Sequence, residues 1–349
     1  FLPKAWDGII ADEIVYLKNH KSGRTKRAKK LDAKYKIGLS GFPLEKDLLE
    51  FHSIFEWIHP ELLPTFWRFR QRYFRFDWSG SIVGYKNLPE LHTYTSPFIL
   101  RRTKEEVLKE LPPKIYTDYP LKFASEAERA YKELLKGYMG WIEDRTNDGS
   151  FTVKSALEEL IRLRQFVEFP EIVNFRDVPN AKLEWLKEIY ENVDKLVVFT
   201  TFKTSLKLLE KEFETPFIIS GDVKQKERLP IIQKFNEAKK AILLSTDAGK
   251  FGLDIVGADN ITHFGYFYNP ATMIQREDRL HRIGQNKVVN VLRPFIEGTV
   301  DEGIMNLYLS RLVDVKSFMD GSRMMEMARL NRNDFVKIVM GRNKNVTVL

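Results

Sequence analysis

Two acidic residues, Asp12 and Glu13, follow the apolar run Gly8 to Ala11. Transfer of a phosphoryl group to water needs one carboxylate to hold Mg²⁺ and a second to orient or deprotonate the water. Adjacent acids at a strand tip meet both needs, although the same pair also suits a helix start, where acids face the helix dipole. A second cluster, residues 275–285, reads Gln-Arg-Glu-Asp-Arg-Leu-His-Arg-Ile-Gly-Gln. Arg279 and Arg282 are three apart, so on a helix they share a face. Two guanidiniums on one face can clamp the oxygens of a phosphate in transfer. A solvated basic helix face is the plainer reading, but it does not explain why Gln275, the Arg pair and the Gly284-Gln285 stop occur together. A third cluster runs from Ser245 and Thr246 through Gly249 and Gly252 to Asp254. Its hydroxyls and backbone N–H groups suit phosphate oxygens, while its glycines would equally serve a plain strand-to-helix turn.

These residues need elements to hold them. Gly8–Ala11 and Tyr35–Leu39 read as buried strands. Residues 44–75 read as helical, with Leu48, Leu49, Phe51, Ile54, Phe55 and Ile58 at helix spacing; residues 76–96 read as irregular and 121–170 as helical again. From about residue 180, strands at 196–200, 217–220, 241–245, 261–264 and 288–292 alternate with helices at 181–193, 204–213, 224–236 and 271–282. That rhythm predicts an α/β fold with a mostly parallel, doubly wound sheet. Ligands of such sheets bind beyond the carboxyl ends of the strands. The polar tips Asp12-Glu13, Ser40-Gly41, Thr200-Thr201, Ser220-Gly221-Asp222 and Ser245-Thr246 should line such an edge. The expected divisions are 1–120, 121–180, 181–310 and 311–349.

The 349 residues suffice for two full cores. The net charge of +8 and pI near 9.3 favour a polyanionic partner, or simply a surface with surplus Lys. With no Cys, disulfides and thiolate metal sites are excluded, which fits a reducing, intracellular setting. The six His show no ligand spacing. No apolar run is long enough to cross a bilayer. The chain starts Phe1-Leu2-Pro3-Lys4, so it is expected to begin inside a longer polypeptide or after processing.

Taken in order, the motifs resemble those of SWI/SNF-type DNA translocases, a branch of helicase superfamily two. Asp12-Glu13 with Lys18-Asn19 resembles the family's second motif, and Ser40-Gly41-Phe42-Pro43-Leu44-Glu45 its third. Leu100-Arg101-Arg102 with Leu111-Pro112-Pro113-Lys114, then Leu163-Arg164-Gln165 with Pro170, resemble its connecting segments. Val198-Phe199-Thr200-Thr201-Phe202 resembles motif four; residues 245–254 and 275–285 resemble motifs five and six. The resemblance spans nearly the whole chain, and Arg-Leu-His-Arg-Ile-Gly-Gln is close to diagnostic.

It implies two RecA-like lobes with helical insertions, the first lobe incomplete, and ATP with Mg²⁺ between them. By that resemblance Asp12 would hold Mg²⁺, Glu13 would position water, and Arg279 and Arg282 would act as arginine fingers. Gly252, Asp254 and Gln275 would lie near the nucleotide. Double-stranded DNA, bound without sequence preference, would meet Ser40, Thr200, Lys203, Gly221, Ser245, Thr246, Phe267 and Tyr268.

There are departures. Ile14 and Val15 stand where the family has a small residue and then His or Gln, which removes a polar link to motif three. Phe42 replaces a small Thr. No Gly-x-x-x-x-Gly-Lys-Ser/Thr loop occurs in these residues. The missing half of the first lobe is therefore an expected partner. Two basic stretches stand apart from the motifs: Lys21–Lys36, with eight Lys or Arg against one Asp, and Arg68, Arg70, Arg72 and Arg75 interleaved with Phe69, Tyr73 and Phe74. Both suit nucleic acid, and both also suit a solvated loop and a half-buried helix. A competing reading is a non-catalytic DNA-binding scaffold with a decayed motor fold. An RNA helicase of the same superfamily is opposed by the Leu-Arg-Arg and Arg-Ile-Gly-Gln segments.

Overall fold

The computed structural model describes residues 6–41, 48–78, 80, 82–150, 152–246, 254–320, 336, 338 and 339. The chain forms two compact units. One holds Phe1–Arg101 with Asn269–Ala271 and Ser310–Arg329; the other holds Arg102–Tyr268 with Thr272–Leu309 and Leu330–Leu349.

In the first unit β1 (Trp6–Ala11) pairs in parallel with β2 (Ala33–Gly38), Ala11 opposite Gly38. Gly38 is required there: a Cβ would come within 2.9 Å of Ile14 Cγ1. The stretch 44–75, expected to be helical, divides into Leu48–Ile58 and Phe66–Tyr73. Pro60 and Pro64 lie between the two; proline lacks the N–H that a continuing helix would need. Residues 76–96 are more regular than expected. An antiparallel hairpin, β3 (Phe74–Phe76) with β4 (Ile82–Tyr85), leads into the helix Leu88–Thr95. Phe51, Phe55, Phe69, Tyr73, Phe74, Tyr85 and Leu91 pack together beneath these elements.

The second unit is built on a six-stranded sheet, all of its pairings parallel. Its strands are β5 (Lys114–Leu121), β6 (Lys195–Phe199), β7 (Ile218–Ile219), β8 (Ala241–Ser245), β9 (Asn260–His263) and β10 (Val289–Ile296), in the order β5-β10-β9-β6-β8-β7. Successive residues of a strand point to opposite faces. Val197, Leu243, Ile261 and Val291 meet Ile232 and Phe235 of the helix Gln225–Glu237. Leu196, Val198, Ile242 and Leu244 meet Trp185 and Leu186 of the helix Ala181–Asn192, and Leu206 and Leu209 of the helix Lys203–Phe213. Apolar layers therefore cover both faces, as a parallel sheet requires, and the doubly wound α/β fold is what forms. The helices Ser125–Asn147 and Val153–Glu168 are inserted between β5 and β6.

Residue 120 is not where the compact units part. β5 belongs to the sheet of the second unit through eight paired positions with β10, and the contact boundary falls between Arg101 and Arg102. The last described helix, Val300–Asp320, likewise runs across residue 310.

Candidate phosphoryl-transfer and nucleic-acid site

At the end of β1 the chain turns sharply. Glu13 adopts a left-handed backbone, φ 49°, and its N–H donates to Asp12 Oδ1 at 2.9 Å. Such a conformation is disfavoured for a residue with a Cβ and persists where neighbours enforce it. Here Leu39 N donates to Ala11 O and Ile14 N to Leu39 O, each at 2.8 Å. Asp12 is exposed; Glu13 is half-buried, and its Oε2 is buried with no hydrogen-bond partner among the described residues. Ile14 and Val15 are buried, with Ile14 against Leu17, Ile54 and Trp57, so the apolar departures serve the core. Ser40 is half-buried, while Phe42 and the rest of motif three up to residue 47 lie outside the described residues.

A magnesium ion typically takes one or two carboxylates and completes its shell with water and substrate phosphate. An exposed Asp beside an unsatisfied Glu oxygen fits that requirement. Among the described residues no three His, Cys, Asp or Glu side chains cluster around a metal-sized space.

In the second unit, the strand tips are bound to one another. Thr200 is fully buried. Its N–H donates to Ser245 O, its hydroxyl donates to Glu168 Oε2 at 2.6 Å, and its carbonyl accepts from Arg276. A hydroxyl has one proton, so Thr200 has no donor left for a phosphate. The Thr201 hydroxyl and N–H also point to Glu168. A Cβ at Gly265 would collide with both Glu168 and Thr201. One turn earlier, Arg164 donates to Tyr266 O at 2.8 Å and lies over the rings of Phe202, Phe267 and Tyr268. Ser245 is buried and its hydroxyl bonds to Thr246 O; Thr246 is buried too. Of the expected DNA contacts on this sheet edge, Lys203 and Gly221 are exposed, and Phe267 and Tyr268 are half-buried. Lys203 forms a 2.7 Å ion pair with Asp222.

The segment 275–285 departs from expectation in one respect. The helix is Pro270–Glu277, not 271–282, so Arg279 and Arg282 do not share a helix face. After Glu277 the backbone tightens: Arg279 N donates to Arg276 O and Leu280 N to Glu277 O, three-residue spacings that end the helix. Side chains anchor this turn. Glu277 is buried and accepts from Lys114 at 2.9 Å and Tyr116 at 2.8 Å, with His263 Nε2 at 3.4 Å from its other oxygen. Burial alone would raise the Glu277 carboxyl, but the Lys114 ammonium and His263 hold it down at about 2. His281 Nε2–H donates to Pro112 O, and Lys104 donates to His281 O and pairs with Asp278. The Gln285 Nε2 amide donates to Ala258 O at 2.8 Å. Arg276, Glu277, His281 and Gln285 are therefore internal clamps. Gln275 and Arg279 are half-buried and Arg282 is exposed, paired with Asp254 at 2.5 Å. Gly252, with the rest of 247–253, lies outside the described residues.

Glu168 was not singled out in the sequence. Its only signal there is a lone acid within the apolar run Phe166-Val167-Glu168-Phe169. Lys182 and Asp301, a fully buried pair at 2.8 Å, gave no signal at all.

A parallel sheet with such a built edge in one unit, and a strand followed by Asp-Glu in the other, are the marks of a helicase-type motor core. The SNF2-related domain matches residues 2–172, and the helicase conserved C-terminal domain matches residues 181–284. Together these two domains span most of the chain, which belongs to the SWI/SNF-type branch of helicase superfamily two. It is 31% identical over 309 residues to an uncharacterized ATP-dependent helicase of Mycoplasma genitalium, covering 86% of this chain and 29% of that protein. It is 29% identical over 367 residues to the TATA-binding protein-associated factor 172 of Homo sapiens, covering 85% and 20%. The chain thus spans less than a third of the length of these relatives. The Sulfolobus solfataricus SWI2/SNF2 ATPase core domain is similar at 28% identity and TM-score 0.49, covering 97% of this chain and 71% of that one.

Proposed function

We propose that these residues are the catalytic back end of an ATP-driven motor that moves along double-stranded DNA without sequence preference. The observation that carries the reading is the division of labour within 275–285. Four side chains are spent on internal clamps, while Arg279 is half-buried and Arg282 exposed, and these two are the ones that phosphoryl transfer would use. Asp12 would hold Mg²⁺, which when bound would offset phosphate charge. Glu13 would orient the attacking water through the oxygen that has no hydrogen-bond partner among the described residues. Arg279 and Arg282 meet the charge that develops on the transferring phosphate. Asp254, near the nucleotide, pairs with Arg282 and holds it in readiness. Lys203, Gly221 and the half-buried Phe267 and Tyr268 face the duplex; Thr200, Ser245 and Thr246 shape that edge from beneath.

A phosphate-binding loop and the strands that carry it are the partner this reading requires. The sequence contains no such loop. The 349-residue chain by itself should therefore hydrolyse ATP negligibly, with or without DNA. Robust DNA-stimulated turnover by the purified chain would refute this.

A further inference from the structure

The helix Phe66–Tyr73 and the hairpin after it carry the sequence Phe-Trp-Arg-Phe-Arg-Gln-Arg-Tyr-Phe-Arg-Phe-Asp-Trp over residues 66–78. Its aromatics divide into two sets. Phe69, Tyr73 and Phe74 are at most 1% exposed and fill the core of the first unit. Trp67, Phe76 and Trp78 are 69%, 38% and 100% exposed. The first set explains why the segment folds; the second contributes nothing to that core.

Between two of the outer rings lies a cation. Arg70 Cζ is 5.4 Å from the Trp67 ring centroid and 5.2 Å from that of Phe76, with Phe66 at 6.0 Å. Arg70 Nε is buried without a hydrogen-bond partner among the described residues. Arg68 is exposed beside Trp67. Arg72 is exposed and donates through Nε to the half-buried Glu90 at 2.6 Å, which also accepts from Tyr73, while about half of the Arg72 side chain faces solvent. Residues 66–76 include four Arg and no acid.

We propose that Trp67, Arg70, Phe76 and Trp78 form a stacking platform for single-stranded polynucleotide, with Arg68 and Arg72 taking its phosphates. Exposed rings bind unpaired bases through their faces, and an arginine plane held between rings extends the stack. A duplex keeps its bases stacked inside and offers this surface only phosphates, so the rings select unpaired strands. The charge selects a polyanion over a neutral apolar partner. The platform belongs to the first unit and the sheet-edge residues assigned to duplex DNA belong to the second, so the proposal does not depend on that assignment.

The test uses the 349-residue chain with fluorescently labelled oligo-dT and oligo-U of about 20 nucleotides, read by anisotropy beside a duplex of equal length. Trp67→Ala and Trp78→Ala should each weaken single-strand binding about fivefold or more, by the usual worth of one base–aromatic stack. Duplex affinity should stay within about twofold. Since both rings are exposed, the variants should melt like the parent. Equal losses with dT and U would assign the ligand as either nucleic acid; loss with one alone would name it. Undiminished single-strand binding in both variants would overturn the proposal. So would an equal loss for duplex, or Trp-dependent binding to phosphatidylserine vesicles that oligo-dT does not displace.

Discussion

Arg279 and Arg282 carry the greatest chemical weight of any residues here, and their placement is not a helix face. A turn held by Glu277, His281 and Gln285 presents them instead. Spacing alone would have allowed a longer helix; polar partners of Glu277 on β5 and β9 override it, and those on β5 are remote in sequence. The arginine-finger role proposed for them rests on residue type, since only Arg offers a planar two-pronged donor to phosphate. Lys would keep the charge and lose that geometry. In the full-length protein, Arg279→Lys and Arg282→Lys should each cut DNA-stimulated ATP turnover by about 10³ or more while DNA affinity barely changes. The Arg282–Asp254 pair is about half exposed, so its loss should leave the melting temperature nearly unmoved. Parent-like turnover in both variants would reduce these arginines to a basic surface.

At the scale of elements, the strand and helix rhythm after residue 180 was readable because each strand is an unbroken apolar run. The membership of β5 in the same sheet was not, because its pattern is mixed and its exposure is high along its length. What recruits it is charge: Lys114 and Tyr116 of β5 reach Glu277 at the end of the helix Pro270–Glu277. Glu277 makes that attachment sensitive to acid. Its carboxyl is held down at about 2 against an ordinary value of 4.5. A group with a depressed folded-state pKa contributes stability that is complete above the unfolded value and is lost as pH falls from about 4.5 to about 2. The shift corresponds to about 3 kcal/mol at neutral pH. Glu277→Gln should therefore destabilise the chain by about 3 kcal/mol at pH 7, since it also takes from the largely buried Lys114 its nearer anion and leaves Asp278 at 3.5 Å. The gap between parent and variant should narrow between pH 4.5 and pH 2. Denaturant titrations at pH 7 and pH 3 measure it; a gap that stays constant would show that Glu277 is not the acid-sensitive tie.

For the whole molecule, the sequence conveyed the order of the motifs but not which polar residues would be consumed internally. Thr200 and Ser245 look like phosphate donors in one dimension and are buried in three. Glu168, behind them, could not be anticipated, because its partners lie more than 30 residues away. The outer face of β1 and β2 poses a converse case. Ile10, Tyr35 and Ile37 are exposed, although parallel sheets are ordinarily covered on both faces. We expect further polypeptide of α/β type to cover that face.

In the proposed motor, duplex binding would depend on the cations that remain outside and on the net charge of +8. Among the tip residues proposed to face duplex DNA, Lys203 is the exposed cation, and its ion pair with Asp222 is exposed on both sides. Such a pair contributes little to stability and is readily given up to a phosphate. Each phosphate neutralised releases condensed counterions, so affinity should fall steeply and linearly on a log–log plot against salt. Lys203→Ala should weaken binding equally for unrelated duplex sequences and reduce the salt slope by about 1. Asp222→Asn should do the reverse in affinity, because it frees Lys203 and removes a negative charge from the same edge. Neither change touches the buried layers, so both variants should fold. The measurement is duplex affinity for two unrelated sequences at four salt concentrations. Sequence-dependent losses, a salt-independent affinity, or an Asp222→Asn variant that binds more weakly than the parent would show that this edge is not where duplex DNA is held.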